Sequence, residues 1–129
     1  MKTNRLVALL FGTAAAYDGI LGLAFLVFPL ALYRRFNVPP PNHWGYVEFS
    51  AAMLIIFALL FISVARHPRA SSNLIPYGIL LKVSYCAIVF GHWLTQGIPD
   101  MWKPLAFADA VFALLFLWAY VVLGRRPAA

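Results

Sequence analysis

Residues 74–94 read LIPYGILLKVSYCAIVFGHWL, and the fold turns on how that stretch is taken. It has about the 20 residues that a helix rising roughly 1.5 Å per residue needs to cross a hydrocarbon core. Lys82 sits near its middle, flanked by apolar side chains on both sides. Three further apolar runs of similar length occur at about 6–28, 46–64 and 105–123. Lipid offers no partners to bare backbone, so such runs must be helices rather than open strands.

Composition leads to the same conclusion. The 129 residues are 64% hydrophobic and 11% charged, whereas a soluble domain carries about 25% charged residues. A water-soluble domain this small leaves too much of its surface exposed to hide that much apolar side chain. The sequence therefore predicts one all-α domain spanning 1–129, an integral membrane four-helix bundle with short loops. Its solvent and first partner is the lipid bilayer.

Between the runs stand residues that stop helices. Pro39, Pro40 and Pro41 make a stiff connection, and Asn42 after them is expected to cap the second run. Ser71, Ser72 and Asn73 are expected to cap the third, with Pro76 tolerated in its first turn. Gly97, Pro99 and Pro104 separate the third run from the fourth. Pro29 should end or bend the first, leaving residues 30–36 near the interface. The basic N-terminus, apolar residues 6–11 and small residues 13–16 imitate a secretory signal. Because the apolar run continues to residue 28, the reading is a retained first helix.

The net charge of +6 and pI near 9.9 do not indicate a nucleic-acid partner, because the basic residues flank the apolar runs and only Lys82 lies inside one. Lys2, Arg5, Arg66, Arg69, Arg125 and Arg126 fall on one side, against Arg34, Arg35 and Lys103 on the other. That bias predicts both termini in the cytoplasm, in a bacterial inner membrane. Trp44, Tyr46, Trp93 and Trp102 gather on the opposite side as an aromatic belt. The single cysteine, Cys86, excludes an intramolecular disulfide and reads as a small packing residue. The pentapeptide FALLF recurs at 57–61 and 112–116, without a convincing repeat around it.

Ionisable side chains inside a membrane usually face the bundle interior and find partners. Each run contributes one: Asp18, Glu48, Lys82 and Asp109. Helical rise places Asp18 and Lys82 near the middle of their spans, level with each other, so the first expectation is an Asp18–Lys82 ion pair. The same count puts Glu48 and Asp109 about 8–10 Å nearer the outer end. Lys82, Tyr85, Cys86, Val89 and His92 recur at spacings of three and four and share one helix face. Tyr17 and Asp18 lie beside Gly19 and Gly22, small residues that let helices approach closely in lipid. The expected ligand-binding set is thus Asp18, Lys82, Tyr85, Glu48, His92, Asp109 and Tyr17, forming a polar pocket that opens outward. Three carboxyls against one lysine leave negative charge unmatched. Either burial keeps a carboxyl neutral, or a cation completes the set.

Other chemistry is weaker in the sequence. His43, Glu48, His92 and Asp100 could meet on the outer side as a zinc or copper site, although their spacing matches no compact motif. Only His92 among the histidines lies in an apolar run, which argues against a bis-histidine haem. Aromatic residues at 16% could line a slot for a quinone. No nucleophile motif or phosphate-binding glycine loop is present. Ser50, Ser63 and Ser84 read as hydroxyls bonded back to their own helices. The sequence assigns no catalytic residue and leans away from an enzyme.

The glycine-punctuated first run (Tyr17, Asp18, Gly19, Gly22), the proline-rich first outer loop, Lys82 and the acidic start of the fourth run (Asp109 before Phe112) resemble the DoxX-like group of small bacterial four-helix membrane proteins. The resemblance lies in layout more than in exact motif. It implies the four-helix membrane fold, and some members serve as subunits of redox systems that pass electrons to quinone. This chain has no cysteine pair or compact histidine set for such chemistry, so an enzymatic role does not carry over. Two functional expectations follow. One is a polar intramembrane pocket for a small ligand or ion, in an oligomer where transport is involved. The other is an accessory or scaffold subunit of a larger redox or transport complex, associated with quinone.

Overall fold

The computed structural model describes residues 2–124. Arg125 and Arg126, which contribute to the charge bias above, lie outside the described residues. The chain is all-helical: α1 (Lys2–Val27), α2 (Pro29–Arg35), α3 (Gly45–Arg66), α4 (Ile75–Thr95) and α5 (Lys103–Gly124). Four of these, α1, α3, α4 and α5, are long and apolar enough to cross a membrane. Each begins or ends within a few residues of the run that foretold it.

The helix ends are built differently from the sequence expectation. Asn42 does not cap α3. The helix starts after Trp44 with no side-chain cap, and the Gly45 N–H donates instead to His43 Nδ1 at 2.9 Å. Ser71, Ser72 and Asn73 likewise provide no side-chain cap. A 3-10 turn, Ser72–Leu74, leads into α4, and the Ser72 hydroxyl donates back to the Arg69 carbonyl. Pro104 lies inside the first turn of α5, where a missing N–H costs nothing, rather than before it.

Pro29 ends α1 and opens the short α2 as its first residue. That helix closes with a Schellman arrangement in which Val38 N–H bonds the Tyr33 carbonyl and Asn37 N–H bonds the Arg34 carbonyl. Asn37 takes the left-handed φ of 56° that this ending requires. The result folds α2 back so that Tyr33 is buried against Trp44 and Trp102.

The long helices pack as two hairpins, α1 against α3 and α4 against α5, with looser contact between the pairs. Small residues set the first hairpin. A Cβ built on Gly22 would lie 2.8 Å from the Ala51 carbonyl oxygen, so the backbones touch there as the small-residue reading anticipated.

Two cores result, one toward each end. Toward the chain termini, Val7, Phe11, Phe61, Val64, Ile75, Phe116 and Leu123 form a dry cluster. Phe11 stacks on Phe116 at 4.4 Å, and Phe61 closes on both rings. Phe61 and Phe116 are the last residues of the two FALLF segments, so the repeated pentapeptide supplies two walls of one core. Arg69 ties this end together by donating to the Leu123 carbonyl at 3.1 Å. At the far end, Phe25, Tyr33, Ala51 and Met101 form a smaller cluster with Trp44 and Trp102 packed against it.

In a soluble core Phe→Ala costs about 3–5 kcal/mol. In lipid the transfer part largely vanishes, because the tails are as apolar as the core, while the lost packing contacts remain. Phe116→Ala is therefore expected to cost about 2 kcal/mol, read as a lower unfolding midpoint in detergent titration. An unchanged midpoint would show that the ring stack is not a packing unit.

Candidate functional site

Between the two cores sits the charge cluster. Lys82 and Asp18 are fully buried, at 0% and 1% exposure, and Asp109 is 8% exposed. Lys82 Nζ donates to Asp18 Oδ1 at 2.8 Å and to Asp109 Oδ1 at 3.0 Å. The expected Asp18–Lys82 pair is present, and Asp109 completes it as a triad drawn from α1, α4 and α5. The ring faces of Tyr17, Phe61 and Phe112 surround the ammonium, with centroids at 5.3, 5.8 and 5.2 Å. Their quadrupoles add to the attraction at this buried ammonium.

The depth expected for Asp109 is corrected by this geometry. The carboxyl contacts Lys82 directly rather than standing a helical turn or more nearer the outer end. The α4–α5 register explains why. Tyr85 OH donates to the Trp102 carbonyl at 3.1 Å and the Cys86 thiol to the Ala106 carbonyl at 3.3 Å. Continued along the antiparallel pair, that register brings Lys82 across from Asp109.

Glu48 and His92 do not belong to the cluster. Both are exposed, and neither lines the cavity described below. On α3 the cavity is lined by Val47, Ser50, Ala51 and Leu54, with Tyr46 and Phe49 beside them. Glu48 lies between lining residues in sequence, yet its own side chain is exposed and forms no part of the wall. In the first turn of α3 it faces the positive end of the helix dipole instead. On α4, His92 is rotated about 80° from Lys82, so the polar stripe leaves the interior before reaching it.

The suggested metal set fails on geometry as well. Among the described residues, no three of His, Cys, Asp and Glu gather as a metal site. His43 Nδ1 is engaged by the Gly45 backbone, and Asp100 pairs with Lys103 at 2.7 Å on the surface.

Above the triad, toward the far end, lies a cavity of about 560 Å³. Asp18, Asp109 and Tyr85 line its floor, while Lys82 does not reach its surface. The walls are apolar and aromatic, formed by Leu21, Leu54, Phe25, Tyr33 and Trp102, with Phe25 stacked on Trp102. Tyr46 and Phe49 also line it and are mostly exposed, at 69% and 68%, so they stand at its mouth. The pocket expected from the polar stripe is thus a largely apolar chamber with a polar floor.

Ser50, at the chamber wall, donates to the Tyr46 carbonyl, and Ser63 to the Leu59 carbonyl, as expected of lone hydroxyls in helices. Burial pushes the Tyr33 phenol above its ordinary range, keeping it neutral at the chamber roof.

Two polar atoms here have no partner: Asp18 Oδ2 and the Tyr17 hydroxyl. An unpaired buried carboxylate oxygen is costly. With both carboxyls ionised, two negative charges would face one ammonium, a second imbalance.

Tyr33 and Phe25 were not singled out in the sequence, and Ser50 was read there only as a lone helix hydroxyl. The aromatic belt contained Trp102, but nothing in residues 30–36 foretold that α2 would turn inward and place Tyr33 over the chamber. No family model, curated protein or solved structure matches the chain.

Proposed function

We propose that this is a small polytopic membrane protein whose function is to bind a small molecule in the far-end chamber, seated on the Asp18–Lys82–Asp109 triad. The carrying observation is the unpaired Asp18 Oδ2 in a side chain that lines a chamber of ligand size. Ligand sites are typically apolar concavities with a few convergent polar groups, and this one has that composition. Intramembrane ionisable residues are also functional by default.

The orientation belongs to the same proposal. Among the described residues Lys2, Arg5, Arg66 and Arg69 stand at the termini end, against Arg34, Arg35 and Lys103 at the far end, of which Lys103 is paired with Asp100. With the sequence bias of Arg125 and Arg126 added, this supports a reading with the termini in the cytoplasm of a bacterial inner membrane and the chamber in the outer leaflet. Its mouth at Tyr46 and Phe49 gives an occupant a route from lipid. A layout like that of the DoxX-like group fits this reading without adding a redox cofactor.

Native mass spectrometry of protein purified in mild detergent tests the proposal. The expected result is a bound small molecule on the wild-type chain that is lost in Asp18→Asn. It should be lost equally in Met53→Trp, which adds bulk at the chamber wall and changes no residue of the triad. A bare wild-type mass, with all three proteins still folded, would show that the triad only fastens helices together.

A further inference from the structure

Resting on the chamber reading, we propose that the occupant is a lipophilic organic cation, an apolar or aromatic body carrying one protonated amine. Three observations converge on this class.

The first is sign. Asp18 and Asp109 line the chamber and Lys82 does not, with Asp109 at 8% exposure the more open carboxyl and Asp18 at 1%. With all three groups ionised, two negative charges against one positive leave one negative charge unmatched. It lies on the side that an occupant meets. Buried charge in a low dielectric calls for a partner of opposite sign.

The second is hydrogen bonding. Lys82 takes one oxygen from each carboxylate, both Oδ1. Asp18 Oδ2 remains, fully buried and without a donor. A carboxylate oxygen only accepts, so the missing group must donate. An ammonium donates and also carries the missing charge. A hydroxyl or a quinol supplies the donor alone, and a carboxylate ligand supplies neither and adds repulsion.

The third is the wall. Phe25, Tyr33, Trp102 and Tyr85 surround the floor with aromatic surface. The walls also suit a neutral aromatic, but combined with an anionic floor they resemble the cages that hold cationic heads by ring quadrupoles. The volume of about 560 Å³ admits a drug-sized molecule. Simple inorganic cations fit poorly, because the mostly apolar walls supply too few oxygen ligands beyond the floor to replace a full hydration shell.

The test is a calorimetric titration of the full chain in lipid nanodiscs with three probes of nearly equal size: phenylbutylamine, phenylbutanol and phenylbutyrate. At neutral pH these are cationic, neutral and anionic. The amine is expected to bind at least roughly tenfold more tightly than the alcohol, with no measurable binding of the butyrate. Asp18→Asn and Leu105→Trp should each weaken the amine by a similar factor. The second variant obstructs the chamber without replacing a carboxylate, so the test survives if the first fails to fold.

Equal affinity for alcohol and amine would overturn the cationic class while leaving the chamber reading standing. Binding of all three probes that persists in Leu105→Trp would place the occupant elsewhere and overturn both. Absence of binding by any probe would also overturn the cationic class, and the native mass measurement would then decide the chamber separately.

Discussion

Replacing Lys82 with methionine is expected to cost about 3–5 kcal/mol, the loss seen when one partner of a buried ion cluster is removed. The side chain is nearly isosteric, so the effect is electrostatic. Asp18 and Asp109 are left facing each other in a medium of low dielectric with no counter-ion. They must then remain charged without solvation or take up a proton, and both are unfavourable. Surface pairs do nothing comparable. Asp100, which pairs with Lys103, is 91% exposed in its side chain and should tolerate Asp100→Asn with little change. The decisive companion is the triple variant Lys82→Met, Asp18→Asn, Asp109→Asn. Replacing a whole buried cluster by neutral groups is often close to neutral in stability, so thermal unfolding in detergent should return most of the way to wild type. A single Lys82→Met change with no loss, or a triple variant as unstable as the single one, would show that the cluster is not coupled as its distances indicate.

The second large effect is Gly22→Leu, expected to cost about 3 kcal/mol, the upper end for overpacking. Most crowded positions yield because the neighbour is the tip of a flexible side chain. Here the first obstacle is the Ala51 carbonyl oxygen at 2.8 Å, with Ile55 Cγ1 at 3.0 Å and Leu54 Cβ at 3.1 Å. Backbone cannot turn aside, so α1 and α3 must separate. Asp18 lies one helical turn away and should lose its alignment with Lys82. The control is Gly12→Leu, where an added Cβ meets nothing within 4 Å. That change should be neutral or slightly stabilising, because leucine favours a helix more than glycine does. Equal loss at both positions would remove close α1–α3 packing from the explanation.

Much of the architecture was legible because lipid imposes a simple rule. The length of an apolar run and the presence of a closing proline or glycine decide a helix long and apolar enough to cross a membrane, and α1, α3, α4 and α5 are such helices. The levelness of Asp18 and Lys82 was legible for a related reason, since depth along a span follows from helical rise alone. Asp109 was misplaced because its depth was counted within its own run. Its true neighbour depends on how α4 and α5 register, which the bonds of Tyr85 and Cys86 to the opposite backbone determine. Glu48 and His92 were misassigned for want of azimuth. Each lies on a helix with a buried face, but the rotation of that face toward its neighbours emerges only on packing. The helix caps failed for a local reason: a histidine ring and a 3-10 turn met needs that residue statistics assign to Asn and Ser. Tyr33 was the least legible, because a seven-residue helix turned inward by a Schellman ending leaves no apolar period long enough to read.

Infrared difference spectroscopy of the protein in lipid, recorded as phenylbutylamine is added, tests most directly whether an occupant engages the free oxygen of Asp18. The geometry predicts a change in the carboxyl region for wild type that persists in Glu48→Gln, because Glu48 lies outside the chamber, and disappears in Asp18→Asn. A carboxyl change that survives in Asp18→Asn and vanishes in Glu48→Gln, or a bound amine with no carboxyl change at all, would contradict it.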